Sequence, residues 1–174
     1  LRYRRLAKRL QAAEANLREL ALTDALTLLP NRRAGLARLT AECAQALRHG
    51  RPLSIAMLDV DYFKRINDRW GHPVGDLVLR ELAIRFQSNL RDTDLAARLG
   101  GEEFLVILHG SDSKGAEIMA QRLRERVASC PVTVPNADIT VTISLGVATL
   151  PDAPVDASLG AHQAGDNLLR QADE

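Results

Sequence analysis

The chain has 174 residues, of which 46% are hydrophobic and 26% are charged, and its net charge is +1. This length is enough for one domain with a buried core and a short appendage, and no apolar run approaches the length of a membrane-spanning helix. Aromatic residues make up only 3% of the chain, which argues against a surface that stacks the bases of single-stranded nucleic acid.

The first segment of the chain is basic and has a helical repeat. Residues 1–20 carry six basic side chains and two acidic ones. Spacings of three and four positions alternate between its apolar residues, which are Tyr3, Leu6, Leu10, Ala13, Leu17 and Leu20. This heptad pattern predicts a linker helix over residues 1–22 that pairs with a partner helix, and packing of the helix on its own domain is the alternative.

Hydrophobic periodicity and turn residues divide the rest of the chain into helices and strands. In chain order we predict a helix over residues 32–49, a strand over 53–59, a helix or turn over 63–70, a helix over 75–89, a hairpin near residue 100, a helix over 113–129, a strand over 139–150 and the start of a last helix over 159–172. This order is that of a ferredoxin-like β-α-α-β-β-α-β core with helices on one face of the sheet, an α+β fold.

Two acidic segments stand where strands are predicted to end. The Gly-Gly pair at residues 100–101 predicts a two-residue hairpin turn, because such a turn needs positive φ values, and Glu102 and Glu103 follow at once. Asp59 and Asp61 fall at the carboxyl end of the preceding apolar strand. Four carboxylates brought together would repel each other unless cations lie between them. For the glutamates alone, a solvated hairpin tip is the alternative.

Five motifs follow one another along the chain. They read D-A-L-T-L-L-P-N-R-R at 24–33, D-V-D-Y-F-K-R-I-N-D at 59–68, G-H-P-V-G-D at 71–76, G-G-E-E-F at 100–104 and S-L-G at 144–146. Together they resemble the GGDEF domain family of diguanylate cyclases, from about residue 24 to residue 173, with Leu28 where the family usually has glycine. The resemblance implies the core of class III nucleotide cyclases and polymerase palms. It also implies an enzyme that condenses two GTP into cyclic di-GMP and releases two pyrophosphates.

The resemblance implies a role for each acidic residue. Asp59 and Glu102 match the metal carboxylates of the family, and the carbonyl of Val60 matches its backbone ligand. Two Mg²⁺ ions per active site are expected, with Mn²⁺ as a substitute, since oxygen ligands and phosphates suit them. Glu102 also matches the proposed proton acceptor, so it is a ligand, a base or both. Glu103 is either a further ligand or a supporting acid, and Asp61 is similar, with a helix cap as its alternative role.

Four positions match the GTP-binding residues of the family. Lys64 would place a catalytic cation near the triphosphate, and the backbone N–H groups of Phe63 and Lys64 would hold phosphate oxygens. Asn67 and Asp76 match the residues that read guanine, because a carboxylate there suits the N1–H and N2–H donors that adenine lacks. Without the resemblance, Asn67 is a turn former, Asp76 a first-turn helix residue and Lys64 a surface lysine.

Residues 91–94 read R-D-T-D, just before the predicted hairpin. The pattern resembles the inhibitory product site of the family, where Arg91 and Asp94 would bind a guanine and a phosphate of cyclic di-GMP. An ordinary polar corner between a helix and a strand is the alternative. Binding there generally needs further arginines from a neighbouring surface.

The expected organisation is a linker helix over residues 1–22 and a catalytic domain over residues 23–174. The family continues past the position of Glu174 through a helix with a lysine and an arginine that hold triphosphate, so we expect this chain to bind or turn over GTP less well than a longer one. The expected partners are GTP, a second copy in a catalytic homodimer and an upstream sensor, with no nucleic acid. We expect a cytoplasmic domain of a protein anchored in the bacterial inner membrane, if a membrane segment precedes the basic start. The alternative function is a receptor module that binds GTP or cyclic di-GMP without making product.

Overall fold

The computed structural model describes residues 22–135, 137–150 and 160–173. The predicted pairing helix lies outside the described residues. Within them the elements are α1 (Arg32–His49), β1 (Leu53–Val60), α2 (Phe63–Trp70), α3 (His72–Asn89), β2 (Leu95–Gly100), β3 (Glu103–His109), α4 (Ser113–Ser129), β4 (Val132–Val134), β5 (Ala137–Ile139), β6 (Ile143–Thr149) and α5 (Ala161–Asp173). None of the helices described here has both the length and the apolar character needed to cross a bilayer.

The central sheet has four antiparallel strands in the order β2-β3-β1-β6, and β4 and β5 form a separate two-stranded ribbon. The predicted β-α-α-β-β-α-β order is confirmed by β1, α2, α3, β2, β3, α4 and β6. β1 lies inside the sheet and pairs with both β3 and β6. Its near-continuous apolar sequence follows from this position, because a central strand covered on both faces is shielded from water. The functional consequence is that the end of β1 lies beside the start of β3.

Helices cover both faces of the sheet, so the expectation of helices on one face is wrong. On one face, Leu58 of β1 belongs to a core with Phe86 of α3 and Leu123 of α4. On the other face, Ile55 of β1 belongs to a second core with Leu168 of α5, to which α1 also contributes. The alternating side chains of β1 are apolar on both sides, and each side needs its own helical cover.

Local signals fix most helix ends. The Asn31 side chain accepts a hydrogen bond from the N–H of Ala34 at the start of α1, and α1 ends at Gly50 with φ 59°. α3 begins at His72, three residues before the predicted start, because Pro73 fits the first turn of a helix. Asp112 caps α4, and its side chain accepts a hydrogen bond from the N–H of Gly115. The strand predicted over residues 139–150 is β6, which begins at Ile143, and Ile139 is the last residue of the separate strand β5.

Candidate active site

The hairpin between β2 and β3 carries two of the predicted site carboxylates. Gly100 pairs with Glu103, so the two-residue loop consists of Gly101 and Glu102, one residue later than the sequence predicts. Both glycines have positive φ values, 150° at Gly100 and 51° at Gly101. The register shifts between Arg98 and Gly100, which is a β-bulge. Glu102 therefore lies at the hairpin tip, and Glu103 is the first residue of β3.

Asp59 lies beside the hairpin because β1 pairs with β3. It stands opposite Glu103 in the antiparallel ladder, where facing Cβ atoms are about 5 Å apart. Burial, and then the charges of Glu103 and Asp61, raise the pKa of Asp59 above its ordinary value. Burial, and then the charges of Asp59 and Glu103, raise the pKa of Glu102 in the same way. The predicted carboxylates are therefore close enough to repel one another.

The carboxylate cluster of Asp59, Glu102 and Glu103 offers oxygen ligands. Val60, whose carbonyl the sequence predicts as a ligand, is the last residue of β1 and is buried. Within residues 22–135, 137–150 and 160–173, no group of three His, Cys, Asp or Glu side chains is arranged to hold a metal ion by itself. The carboxylates repel one another, and the cluster contains oxygen ligands but no nitrogen or sulfur ligands. Such a site suits a hard cation that takes its other ligands from water or phosphate.

Asp61 ties the loop after β1 to the edge strand β6. Its carboxylate accepts hydrogen bonds from Thr142 Oγ1 and Ser144 Oγ, each at 2.6 Å. Its backbone N–H donates to the carbonyl of Thr142 at 3.0 Å. Asp61 is not the helix cap, because Tyr62 occupies the N-cap position of α2. Its carboxylate is thus engaged with β6, while its charge still acts on Asp59.

The start of α2 presents the predicted phosphate-binding groups. Phe63 is buried and anchors the helix, whereas Lys64 beside it is exposed. The N–H groups of both residues lie in the first turn of α2, where a helix has no acceptors of its own for them. Because this turn follows Asp59 by only a few residues, the N–H groups and the carboxylates belong to one end of the sheet.

Asn67 and Asp76 lie where α2 and α3 meet. The side-chain oxygen Oδ1 of Asn67 is buried and has no hydrogen-bond partner among the described residues. It packs against Gly75, where any Cβ would collide with it. A buried acceptor without a partner costs about 1–3 kcal/mol, so this atom suits a ligand that brings an N–H donor. Asp76 follows Gly75 and is partly buried. Because α3 begins at His72, Asp76 lies one turn into the helix and not in its first turn, where the sequence placed it.

A pocket of about 280 Å³ opens beside Asp59 and Glu103. Its wall includes Gly146, from the S-L-G motif, and Asp173 at the end of α5. A Cβ on Gly146 would collide with the carbonyl of Ala172. Glycine at this position therefore lets α5 lie directly against β6, which brings the end of α5 to the carboxylate cluster.

The D-A-L-T motif is joined to the β2–β3 hairpin through Arg98, a residue that was not singled out from the sequence. Asp24 Oδ1 accepts hydrogen bonds from Thr27 N at 2.9 Å, Thr27 Oγ1 at 2.7 Å and Arg98 Nη1 at 3.0 Å. Arg98 also donates to the carbonyl of Gly101, from Nη2 at 2.7 Å and from Nε at 3.1 Å. Burial raises the pKa of Asp24, but the hydrogen bonds from Thr27 and Arg98 and the charge of Arg98 bring it below its ordinary value. The position of Arg98, two residues before the Gly-Gly pair, could have indicated from the sequence that it contacts the hairpin.

Leu28 departs from the family pattern at a position whose backbone favours glycine. Its φ is 60°, in the left-handed region, and the residue is 73% exposed. Its N–H donates to the carbonyl of Asp24 at 2.9 Å, which closes the turn. The usual glycine is explained by this conformation, and Leu28 keeps it at the cost of strain.

Arg91 and Asp94 lie away from the carboxylate cluster, at the other end of β2. They line a cavity of about 520 Å³ together with Arg122 of α4, another residue that the sequence analysis missed. Asp94 accepts hydrogen bonds from the N–H of Arg91 at 3.1 Å and of His109 at 3.2 Å. Arg122 Nη2 donates to the carbonyl of Asn89 at 2.7 Å. An arginine of α4 therefore lies in the same cavity as Arg91 and Asp94.

Comparisons with known proteins agree with this geometry. Residues 21–174 match the family model "Diguanylate cyclase, GGDEF domain". The chain is 42% identical over 158 residues to the response regulator PleD of Caulobacter vibrioides, covering 90% of this chain and 33% of PleD. It is 39% identical over 157 residues to the diguanylate cyclase DgcP of Pseudomonas aeruginosa, covering 90% of this chain and 22% of DgcP.

Solved structures give the same family. The coiled coil and GGDEF domain of DgcB from Caulobacter crescentus, in complex with c-di-GMP, has a TM-score of 0.87 to this chain at 29% identity, covering 98% of this chain and 86% of that one. The chain spans about a third of the length of PleD and less of DgcP. With a family model that matches residues 21–174, the chain belongs to the GGDEF domain family of diguanylate cyclases.

Proposed function

We propose that the chain is the catalytic domain of a diguanylate cyclase, which joins two GTP molecules into cyclic di-GMP and releases two pyrophosphates. The observation that carries this proposal is the pairing of Asp59 with Glu103 at the end of β1, with Glu102 at the adjoining hairpin tip. Phosphoryl-transfer sites need cations next to developing negative charge. Burial and neighbouring carboxylates raise the pKa of both Asp59 and Glu102, and a cation between these groups would relieve the repulsion.

Divalent cations complete the proposed site. The carboxylates of Asp59, Glu102 and Glu103 and the carbonyl of Val60 would hold two Mg²⁺ ions, with Mn²⁺ as a substitute. The fit rests on the donor set, which contains only oxygen. When bound, the ions neutralise the triphosphate and lower the pKa of the attacking hydroxyl.

The residues of the chain handle the proton and the leaving group. The 3′-oxygen of one GTP forms a bond to the α-phosphorus of the other, and the bond from that phosphorus to pyrophosphate breaks. The proton of the 3′-hydroxyl passes to a carboxylate oxygen of Glu102, which lies at the tip of the hairpin. The ammonium of Lys64 stabilises the charge on the departing pyrophosphate.

The remaining residues bind and select GTP. The N–H groups of Phe63 and Lys64 hold phosphate oxygens at the start of α2. The carboxylate of Asp76 accepts hydrogen bonds from guanine, and the unpaired Oδ1 of Asn67 supports a second contact to the same base. Adenine has no equivalent N1–H and N2–H donors, so the site favours GTP over ATP.

Catalysis needs a second copy of the chain. The described residues contain one set of GTP-binding groups, whereas the reaction consumes two GTP molecules. Two GTP-loaded domains therefore face each other as a homodimer, and each contributes one nucleotide.

The function is tested by incubating the purified full-length protein with GTP and Mg²⁺ over a wide range of protein concentration. Cyclic di-GMP and pyrophosphate are separated and measured. We expect product with a steeper than linear dependence on protein concentration. Glu102→Ala should abolish product, and Glu125→Ala, which changes an exposed glutamate on α4, should leave it unchanged. Continued synthesis by folded Glu102→Ala protein would refute the proposed mechanism.

A receptor module that binds cyclic di-GMP is the second candidate function. The observation that favours it is the cavity lined by Arg91, Asp94 and Arg122, which is separate from the carboxylate cluster. In a cyclase the same cavity would serve product inhibition. If the protein binds nucleotide but releases no pyrophosphate at any protein concentration, the receptor function is supported and the cyclase function is excluded.

A further inference from the structure

Tyr62 and Arg65 form a stacked pair that projects from the loop before α2. Tyr62 is 71% exposed, and the guanidinium carbon of Arg65 lies 4.6 Å from the centroid of its ring. The residues on either side of Tyr62 are fixed, because the carboxylate of Asp61 is hydrogen-bonded to β6 and Phe63 is buried. The loop therefore holds the tyrosine in solvent while its neighbours face the protein.

The backbone of Tyr62 is strained. Its φ of 56° and ψ of 28° lie in the left-handed region, which is unfavourable for a residue with a side chain. A strained and exposed residue stabilises nothing in its own domain by burial. Strain of this kind is retained most often where a ligand or partner uses the residue.

Tyr62 stands next to the groups assigned to the triphosphate. Under the proposed function, the N–H groups of Phe63 and Lys64 hold the phosphates of the chain's own GTP. The second GTP must approach the α-phosphate from the solvent side, opposite the departing pyrophosphate. Tyr62 directly precedes the phosphate-binding turn and is exposed, so a nucleotide that approaches this turn from solvent can contact it.

The chemistry of the pair suits a nucleotide. Arg65 takes part in no ion pair within the part of the chain that the structure describes, so its charge is free to meet an anion. A guanidinium donates two parallel hydrogen bonds to a phosphate, and the stacked tyrosine ring restricts its orientation. The triphosphate of a second GTP molecule matches the guanidinium of Arg65 in charge and in hydrogen-bonding geometry.

We propose that Tyr62 and Arg65 contact the GTP carried by the second copy of this chain in the catalytic dimer, with the guanidinium of Arg65 on its phosphates. This inference rests on the proposed function. It adds a contact across the dimer to the residues that bind the chain's own nucleotide.

The test compares wild type, Tyr62→Ala and Arg65→Ala with the control Arg69→Ala. Arg69 is a matched control because it stacks on Trp70, at 4.9 Å, at the opposite end of the same helix. Initial rates of cyclic di-GMP synthesis are measured over a wide series of protein concentrations. The affinity for a non-hydrolysable GTP analogue with Mg²⁺ is measured at a concentration where the protein is monomeric, and thermal denaturation checks that each variant is folded.

We expect Tyr62→Ala and Arg65→Ala to lower the rate about ten-fold at low protein concentration, the loss of one charge-assisted contact. The affinity of the monomer for the analogue should stay unchanged, and Arg69→Ala should match wild type. Unchanged rates in both variants of an active enzyme would overturn the inference alone. A fall in analogue affinity as large as the fall in rate would also overturn it, because the pair would then serve the chain's own nucleotide. A wild type that makes no cyclic di-GMP at any concentration would remove the proposed function and this inference together.

Discussion

Leu28 shows how a single backbone angle sets residue preference. At φ 60° a residue with a Cβ is strained by about 1–2 kcal/mol, and the exposed side chain of Leu28 returns little of this through burial. Glycine relieves the strain but gains freedom in the unfolded chain, worth about 0.4–1 kcal/mol. We therefore expect Leu28→Gly to raise the free energy of unfolding by roughly 0.5–1 kcal/mol in urea denaturation.

The control for this change is Leu28→Ala. It removes the same exposed side chain but keeps the Cβ, so the difference between the two variants isolates the left-handed backbone. If Leu28→Gly is no more stable than Leu28→Ala, the strain attributed to this position is wrong.

The carboxylate cluster should make the folded protein less stable as pH rises. The pKa values of Asp59 and Glu102 are raised in the folded state, so folding is favoured where these groups are protonated. That contribution is present in acid, below the ordinary carboxylate pKa, and is lost as pH rises through the folded pKa. Without divalent cations, Glu102→Gln should unfold at a higher temperature than wild type at pH 7, by about a degree, since both groups contact solvent.

The difference between Glu102→Gln and wild type should disappear well below the ordinary carboxylate pKa, where Glu102 is protonated in both the folded and the unfolded wild type. Addition of Mg²⁺ should stabilise wild type more than the variant. Glu125→Gln on α4 is the matched control and should change neither result. A variant less stable than wild type at pH 7 would contradict the repulsion inferred for the cluster.

Among the elements, the contact between β6 and α5 depends on one glycine. A Cβ at Gly146 would collide with the carbonyl of Ala172, so α5 would have to move away from the strand and from Asp59. We expect Gly146→Ala to lower the free energy of unfolding by about 1–3 kcal/mol and to reduce turnover. Gly160→Ala is the control, because a Cβ there meets no atom within 4 Å. If both variants have the same free energy of unfolding, α5 can shift to accommodate the Cβ at position 146 without loss of stability, and the prediction is wrong.

Elements with strong local signals were predicted well from the sequence. The predicted bounds of α1 match the structure, in which Gly50 ends the helix, and β1 ends at Val60, one residue after its predicted end. The hairpin was predicted one residue early, because the bulge after Arg98 leaves no mark in composition. Short strands such as β4, with three residues, are too brief for a periodic signal.

Contacts distant in sequence were not predictable from one chain. Arg98 binds Asp24 across 74 positions, and Arg122 of α4 lines the same cavity as Arg91 and Asp94. Each arginine looks like a surface residue in the sequence, since its partner is brought near only by the fold. The sequence also did not predict that helices cover both faces of the sheet. The order of the elements does not show that β1 and β3 bury apolar side chains on both sides.

At the scale of the whole molecule, the β2–β3 hairpin joins two sites at its opposite ends. Glu102 lies at the tip, and Asp94 precedes the other end of β2, about 20 Å away along the strand. A ligand in the cavity near Asp94 therefore does not occupy the carboxylate site. A ligand bound in this cavity would therefore not inhibit by competing with GTP. It would have to inhibit by fixing the position of the domain or of the β2–β3 strands.

The last prediction separates the two sites. Arg122→Ala should raise the concentration of cyclic di-GMP that halves the rate by about ten-fold, because it removes one charge-assisted hydrogen bond. The initial rate without added product should stay unchanged, since α4 contributes no residue to the carboxylate cluster. Arg124→Ala, on the same helix but lining a groove beside β6, should be inhibited like wild type. Inhibition of Arg122→Ala at the wild-type concentration, measured on protein with an unchanged melting temperature, would exclude Arg122 from product binding.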